Sequence, residues 1–275
     1  RFPLYVEHFA SSQQMRISCV TASYVADVLN YPGQIDWSLA TERILNTPVL
    51  DMIDDLLDRL SPARLDGIEF WYPHVSPGNL TPACVSEIRK RLAMLNMTCC
   101  ACAGGIGDPE EDPNAVEELF QVARLLEAPL IAGHMSEQVA PQLARLCSNY
   151  GIAVAYENAL ETDAAEILRI VRLGDEWVGA NLDTGNLASQ GGDPVQAVRE
   201  LGPRIMHVHL KDVPEVGSHD CVALGEGIVD VAGVIRELRG CGYDGWLSVE
   251  VETADHDPTD DIIASVDTVR RLLGT

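Results

Sequence analysis

The chain has 275 residues, 47% of them hydrophobic and 22% charged, enough apolar material for a large packed core and too much for a disordered polymer. Its 19 basic residues stand against 42 acidic ones, and the formal net charge of −23 repels polyanions and anionic membrane surfaces at long range, arguing against a nucleic-acid or membrane partner. No apolar run approaches the roughly 20 residues of a membrane span. Residues 1–8 lack the apolar core of a signal peptide, and eight dispersed cysteines point to reduced thiols and a cytoplasmic setting.

Residues 1–14 read as an irregular extension packed on the outside of the fold. A first strand runs from Met15 to Thr21, followed by a long connection carrying Tyr24, Tyr31 and Trp37. Val49, Ile53, Leu56, Leu57 and Leu60 share one face of a helix over 49–60. The second strand, over 65–71, turns Ile68 and Phe70 outward and Glu69 and Trp71 inward. Helix 83–95 and strand 97–102 come next. The Cys99-x-x-Cys102 spacing in that strand is not a zinc or redox motif on this reading: residues three apart on a strand face opposite sides, and no second pair follows. The glycine-rich loop at 104–113 lacks the spacing of a phosphate cradle and runs into acids. Helix 114–127, strand 129–134, helix 137–150, strand 151–157 and helix 163–173 continue the alternation. Strand 177–183, helix 194–201, strand 204–210, helix 230–240, strand 245–251 and helix 259–273 complete it. Eight strand-then-helix units without a linker predict an α/β fold, a (β/α)8 barrel forming one domain over residues 1–275.

The strand Met206-His207-Val208-His209-Leu210 puts Met206, Val208 and Leu210 on one face and His207 and His209 on the other. An ordinary half-buried strand would turn its polar face to water. Three other strands repeat the inversion and end in a carboxylate, at Glu157, Asp183 and Glu250. Glu157, Asp183, His209 and Glu250 fall at or near the C-terminal ends of strands five to eight, in the inward register, at the rim where barrel enzymes hold their chemistry. Two carboxylates at about 4 Å repel by on the order of 4 kcal/mol at an effective dielectric near 20. Either some are protonated or a cation sits among them. One imidazole with three carboxylates suits a divalent ion that accepts oxygen and nitrogen, Mn²⁺ first, then Mg²⁺, Co²⁺ or Zn²⁺. The plainer alternative is a set of buried, hydrogen-bonded carboxylates that only finish the barrel top.

From about residue 15 onward the sequence resembles the xylose isomerase-like (β/α)8 barrels, in particular the sugar phosphate isomerase/epimerase group. Gly67-Ile68-Glu69, Tyr156-Glu157-Asn158, Leu182-Asp183-Thr184-Gly185-Asn186, His207-Val208-His209-Leu210-Lys211-Asp212, Leu224-Gly225-Glu226-Gly227 and the run from Gly242 to Glu250 carry the resemblance. It implies that Glu157, Asp183, His209 and Glu250 are metal ligands. It implies a metal-stabilised enediolate formed from a small sugar or sugar derivative, with Glu157 and Glu250 as the catalytic acid/base pair. Asn186 stands where ketose epimerases and apurinic endonucleases carry a histidine, and Glu215 where ketose epimerases carry an arginine. A lyase or dehydratase acting on a keto-sugar or keto-inositol is therefore a second reading. An apurinic endonuclease-like phosphodiesterase is a third, opposed by the net charge. A sugar-binding barrel without catalysis is disfavoured by the complete ligand set.

Lys211 is expected to reach a substrate oxygen. Asn186, His74, His134, Trp71 and Glu69 complete the candidate substrate-binding set. Glu69 could instead be a structural partner of Lys211 or of an asparagine, and His207, deeper than His209, reads as a core histidine. Trp37 and Trp71 suit either a sugar face or lid packing, and Trp246 reads as barrel filling. A homo-oligomer, dimer or tetramer, is compatible with this reading.

Overall fold

The computed structural model describes residues 14–274, so all but the last residue of the expected N-terminal extension lies outside the described residues. Eight strands alternate with helices: β1 (Arg16–Val20), β2 (Gly67–Trp71), β3 (Thr98–Ala103), β4 (Leu130–Gly133), β5 (Ala153–Glu157), β6 (Val178–Asp183), β7 (Ile205–Leu210) and β8 (Trp246–Val249). Each pairs in parallel with the next, and β8 pairs with β1, so the sheet closes into a barrel. Around it lie α1 (Trp37–Leu45), α2 (Val49–Leu60), α3 (Pro82–Met94), α4 (Pro113–Leu125), α5 (Ala144–Tyr150), α6 (Ala164–Val171), α7 (Thr184–Ser189), α8 (Pro194–Leu201), α9 (Val231–Gly240) and α10 (Thr259–Leu273). The main apolar core lies between strands and helices. Ile68, Phe70, Val154, Leu182, Val208 and Leu247 point outward to meet Ile53, Phe120, Ile167, Val234 and Val266. The helices cover the outer face of the sheet and take its apolar side chains, so the polar residues of the alternating strands face the barrel interior.

That interior is layered. At the base, Cys100, Ala101, Leu130, Ala153, Ala155 and Trp246 form a separate apolar plug. The Arg16 guanidinium lies 3.9 Å from the centroid of the Trp246 ring, and Gly67 leaves the space that the ring fills: a Cβ there would come within 2.7 Å of it. Fully buried polar residues sit farther along the strands, Ser18, Glu69, Asn181, His207 and Ser248, and the strand ends carry the ionisable cluster described below.

Two strands depart from simple alternation. A bulge opposite Ile68 and Glu69 inserts Cys100 into β3, so Cys99 pairs with Ile68 and Cys102 with Phe70, and both thiols face the outer core. The parity argument against a shared face for these cysteines therefore fails, because it assumed an unbroken period of two. A hydrogen bond with Cys102 pushes the Cys99 thiol well above its ordinary range, with burial acting in the same direction. Among the described residues, no cysteine belongs to a metal-ligating group. A second bulge, between Ala180 and Asn181 of β6 against β7, displaces Met206. Its side chain packs on the basal plug, while Ile205 joins Val208 and Leu210 outside.

Three helical features also differ from expectation. The connection after β1 contains α1, capped by Asp36, whose carboxylate accepts the Leu39 N–H at 3.0 Å. The helix expected over 137–150 is cut back to Ala144–Tyr150, because Pro141 lies in a tight turn at Ala140–Gln142. The segment after β6 coils into the short helix α7 with Asp183 as its cap. No helix among the described residues is long and apolar enough to cross a membrane.

Gly133 of β4 packs against the backbone of Gly104, where a Cβ would overlap the Gly104 carbonyl oxygen, whereas a Cβ at Gly78 would meet nothing. Gly133→Ala is expected to cost about 2–3 kcal/mol in urea unfolding and Gly78→Ala less than about 0.5 kcal/mol. Equal midpoints for the two variants would contradict this packing.

Candidate metal centre

Glu157 ends β5, Asp183 ends β6, His209 lies one residue from the end of β7, and Glu250 follows β8. One potential ligand atom from each lies within 4.8 Å of all the others, and all four residues are buried. His209 Nδ1 is 3.2 Å from Glu250 Oε2 and 3.5 Å from Glu157 Oε1. Lys211 Nζ stands 3.6 Å from Glu250 Oε2 and 3.8 Å from Asp183 Oδ2, and makes its short contact, 2.6 Å, with Glu252 Oε2.

The sequence motifs explain how these side chains are held. Asp183 spends one carboxylate oxygen on the cap of α7, accepting the Asn186 N–H at 2.8 Å, which leaves Oδ2 facing the cluster. Asn158 locks the same turn: its Oδ1 accepts the Asp183 N–H at 2.9 Å and its Nδ2 donates to the Asp183 carbonyl at 3.0 Å. Asn186 Nδ2 donates back to the Asn158 carbonyl at 3.1 Å. Thr184 Oγ1 donates to the Lys211 carbonyl at 2.7 Å and accepts the Lys211 N–H at 3.0 Å, tying β6 to β7. Asp212 folds the loop after β7 by accepting the N–H groups of Val213 and Val229 at one oxygen and of Gly225 and Gly227 at the other, at 2.9–3.0 Å. Gly225 has φ +95°, and a Cβ on Gly227 would run into the Asp212 carboxylate, so both positions need glycine.

Beneath the cluster, the buried Glu69 carboxylate takes a hydrogen bond from each of two histidines, His207 Nε2 at 2.8 Å and His209 Nε2 at 3.1 Å. Glu69 is thus the partner of the histidines and not, as the sequence suggested, of Lys211 or an asparagine. It is fully buried and does not line the cavity that opens onto the cluster. Accepting the Nε2 proton of His209 leaves Nδ1 as the coordinating atom, the arrangement by which carboxylates orient metal-bound imidazoles.

The residues fit a divalent ion. Asp183 Oδ2, Glu250 Oε2 and His209 Nδ1 are buried with no hydrogen-bond partner, although they converge on one another. Buried polar atoms are ordinarily satisfied. Three carboxylates and one imidazole would satisfy them by sharing a cation that accepts both oxygen and nitrogen. Without such an ion, protons must balance the charge. Burial, with Glu250 and Glu157 nearby, raises Asp183 to about 8 against the pull of Lys211. Burial likewise disfavours ionised Glu250, yet Lys211 and His209 hold it down at about 2. Burial opposes the charge on His209 too, but Glu69, Glu250 and Glu157 raise it well above the ordinary histidine range.

A cavity of about 330 Å³ opens onto the cluster. Its polar wall includes His134, Glu157, Asn186, His209, Lys211 and Glu250, and its opposite wall Trp37, Trp71 and Ala103. The rings of Trp37 and Trp71 meet edge to face at 5.5 Å. His134 donates its Nδ1–H to the Glu157 carbonyl, 3.0 Å away, and sits at the rim as expected. His74 departs from expectation: it is buried behind Trp71 with Nδ1 2.9 Å from Thr21 Oγ1, and it does not line this cavity. Burial lowers it to about 3, so it is a neutral prop. Glu252, absent from the candidate set, lines the cavity, and burial opposed by Lys211 leaves it raised to about 7. Its signal was available, since it lies two residues beyond Glu250 and keeps the same parity.

The eight-stranded barrel with this cluster at its mouth defines a barrel of the xylose isomerase type. The chain belongs to that family: the model for xylose isomerase-like TIM barrels matches residues 57–272. It is similar to the rhizopine catabolism protein MocC of Rhizobium meliloti, 33% identical over 130 residues, 40% of each chain. It is also similar to the inosose dehydratase of Lacticaseibacillus casei, 26% identical over 165 residues, 52% of this chain and 55% of the relative. The matches therefore span about half the length of these curated relatives or less. In fold it is similar to an L-ribulose 3-epimerase, with a TM-score of 0.73, 18% identity and 95% of both chains covered.

With Asp183 raised to about 8 and His209 raised well above its ordinary range, a cation has to displace their protons, so Mn²⁺ affinity is expected to rise with pH through about 8, with proton release in calorimetry across buffers of different ionisation enthalpy. A flat profile would contradict the charge balance described. Glu69→Gln should weaken Mn²⁺ binding by about 10- to 100-fold while far-ultraviolet dichroism stays unchanged.

Proposed function

We propose that this protein is a divalent-metal-dependent enzyme that removes the proton beside the carbonyl of a small polyhydroxylated ketone and returns it, as a sugar isomerase or epimerase. The observation that carries this reading is the convergence of Glu157, Asp183, His209 and Glu250 on one point, with three unpartnered ligand atoms, at the floor of a cavity with a polar and an aromatic wall. A divalent ion held by these four residues would supply a Lewis acid for the charge that develops on the carbonyl oxygen.

The remaining roles fall to the protein's own groups. Glu157 and Glu250 stand on β5 and just past β8, at the two ends of the ligand arc, so each can present a carboxylate oxygen to a different side of a bound ketone. One takes the carbon-bound proton and the other returns a proton to the enediolate. Lys211, His134, Asn186, Trp37 and Trp71 line the cavity; on this reading Lys211 and His134 donate hydrogen bonds to substrate oxygens, Asn186 adds an amide, and Trp37 with Trp71 covers the carbon–hydrogen face. Retention of the ketone within this walled space limits loss of the abstracted proton to water.

A dehydratase reading shares the same first step and is favoured by particular observations. The chain is similar to inosose dehydratases, and Asn186 and Glu215 replace the histidine and arginine of the ketose epimerases that the sequence resembles. In that case the enediolate expels a β-hydroxyl group, which His134 at the rim would protonate so that it leaves as water. Incubation of Mn²⁺-loaded protein with neutral ketoses and keto-inositols in deuterated water separates the two. Deuterium at carbon without loss of water supports the isomerase, and elimination supports the dehydratase. Glu250→Gln is expected to lower kcat by at least about 10³-fold with the fold intact, and unchanged turnover would remove Glu250 from the acid/base pair.

A further inference from the structure

Among the described residues, Glu252 is the one ionisable group on the cavity wall that has no role in the ligand set, the acid/base pair or the proposed substrate contacts, and its contact is with Lys211. The base of the Lys211 side chain is fixed. Thr184 grips its backbone on both the N–H and the carbonyl side, and Gly185 packs so closely that a Cβ there would clash with the lysine stem. The ammonium head is different: it ends a flexible chain and carries three donors. Three carboxylates stand within reach of it. Nζ lies 2.6 Å from Glu252 Oε2, but 3.6 Å from Glu250 Oε2 and 3.8 Å from Asp183 Oδ2, beyond hydrogen-bonding distance. Those last two oxygens are the ones left unpartnered. A movement of a fraction of an ångström would let the ammonium take a ligand oxygen for itself.

We propose that Glu252 is a positioning residue that holds the Lys211 ammonium away from Asp183 Oδ2 and Glu250 Oε2, keeping both oxygens open to a divalent cation. The inference rests on the metal reading of the site. It separates two duties of Lys211 that would otherwise conflict. Its positive charge stabilises a crowd of buried carboxylates, yet a direct hydrogen bond to any ligand oxygen would compete with the ion. Glu252 accepts that hydrogen bond instead and leaves the ammonium facing the cavity, where a substrate oxygen can meet it. The competing account gives Glu252 no positional role, only one more negative charge near the ion.

The test pairs a crystal structure of metal-free Glu252→Gln with calorimetric Mn²⁺ titrations of that variant and of the wild type. In the isosteric variant, Nζ should move to within about 3.2 Å of Glu250 or Asp183, and Mn²⁺ affinity should fall by about tenfold or more. An ammonium that stays off both ligand oxygens overturns the proposal whatever the affinity, since the effect is then one of charge alone. Affinity equal to wild type also overturns it. Lys211→Met provides a second arm: with no ammonium to compete, it should bind Mn²⁺ at least as tightly as wild type, and weaker binding overturns the proposal. Wild-type protein that takes up no Mn²⁺ removes the metal reading and this inference with it. Wild-type binding matched by Glu252→Gln removes only the role of Glu252.

Discussion

The mouth of this barrel is governed by the mutual repulsion of buried carboxylates. Glu157, Asp183 and Glu250 are brought together at neighbouring strand ends whose backbone positions are set by the closed sheet. Among the described residues, Lys211 and His209 reach into the cluster and His134 meets Glu157 from the rim, with Nε2 3.7 Å from Oε1, yet three ligand atoms remain without hydrogen bonds. A cation at that point would convert the repulsion into cohesion, and the remaining features of the site serve to keep that point available.

Those features are backbone tethers more than packing. Asn158 holds both ends of the Asp183 peptide, Thr184 holds both ends of the Lys211 peptide, and Asp212 gathers four N–H groups from the following loop. Each uses a short side chain to satisfy main-chain groups where strand pairing ends, so the backbone that carries the ligands stays hydrogen-bonded beyond the sheet. Glu69 does the corresponding work below, turning two imidazoles at once. The aromatic wall is held in a similar way: the Trp71 N–H donates to Thr21 Oγ1 at 2.8 Å, and the same hydroxyl meets His74.

Much of this was legible in the amino-acid order. Outward apolar residues alternating with inward polar ones located β5, β6 and β8, and the 26-residue spacing from Glu157 to Asp183 and from Asp183 to His209 matched one strand-helix repeat. The errors came where the period of two breaks. Bulges at Cys100 and Met206 reassign faces to Cys99, Cys102 and Met206, and no local residue pattern announces them. His74 looked like a rim residue because it follows a strand end, but a tight turn at Tyr72–Val75 folds it back under Trp71. The partnership of Glu69 with His207 and His209 joins strands about 140 positions apart and depends on barrel closure, which alternation alone cannot register. Glu252 shares the parity of Glu250 but lies one residue past the strand expected over 245–251, where alternation no longer assigns a face.

The central claim is that one divalent ion is bound by four residues from the last four strands. Anomalous diffraction from crystals soaked in Mn²⁺ tests it most directly. The account predicts a single peak within about 2.0–2.4 Å of Glu157, Asp183, His209 Nδ1 and Glu250. A barrel mouth with no peak at saturating Mn²⁺, or an ion bound elsewhere while these four groups keep their metal-free positions, would contradict it.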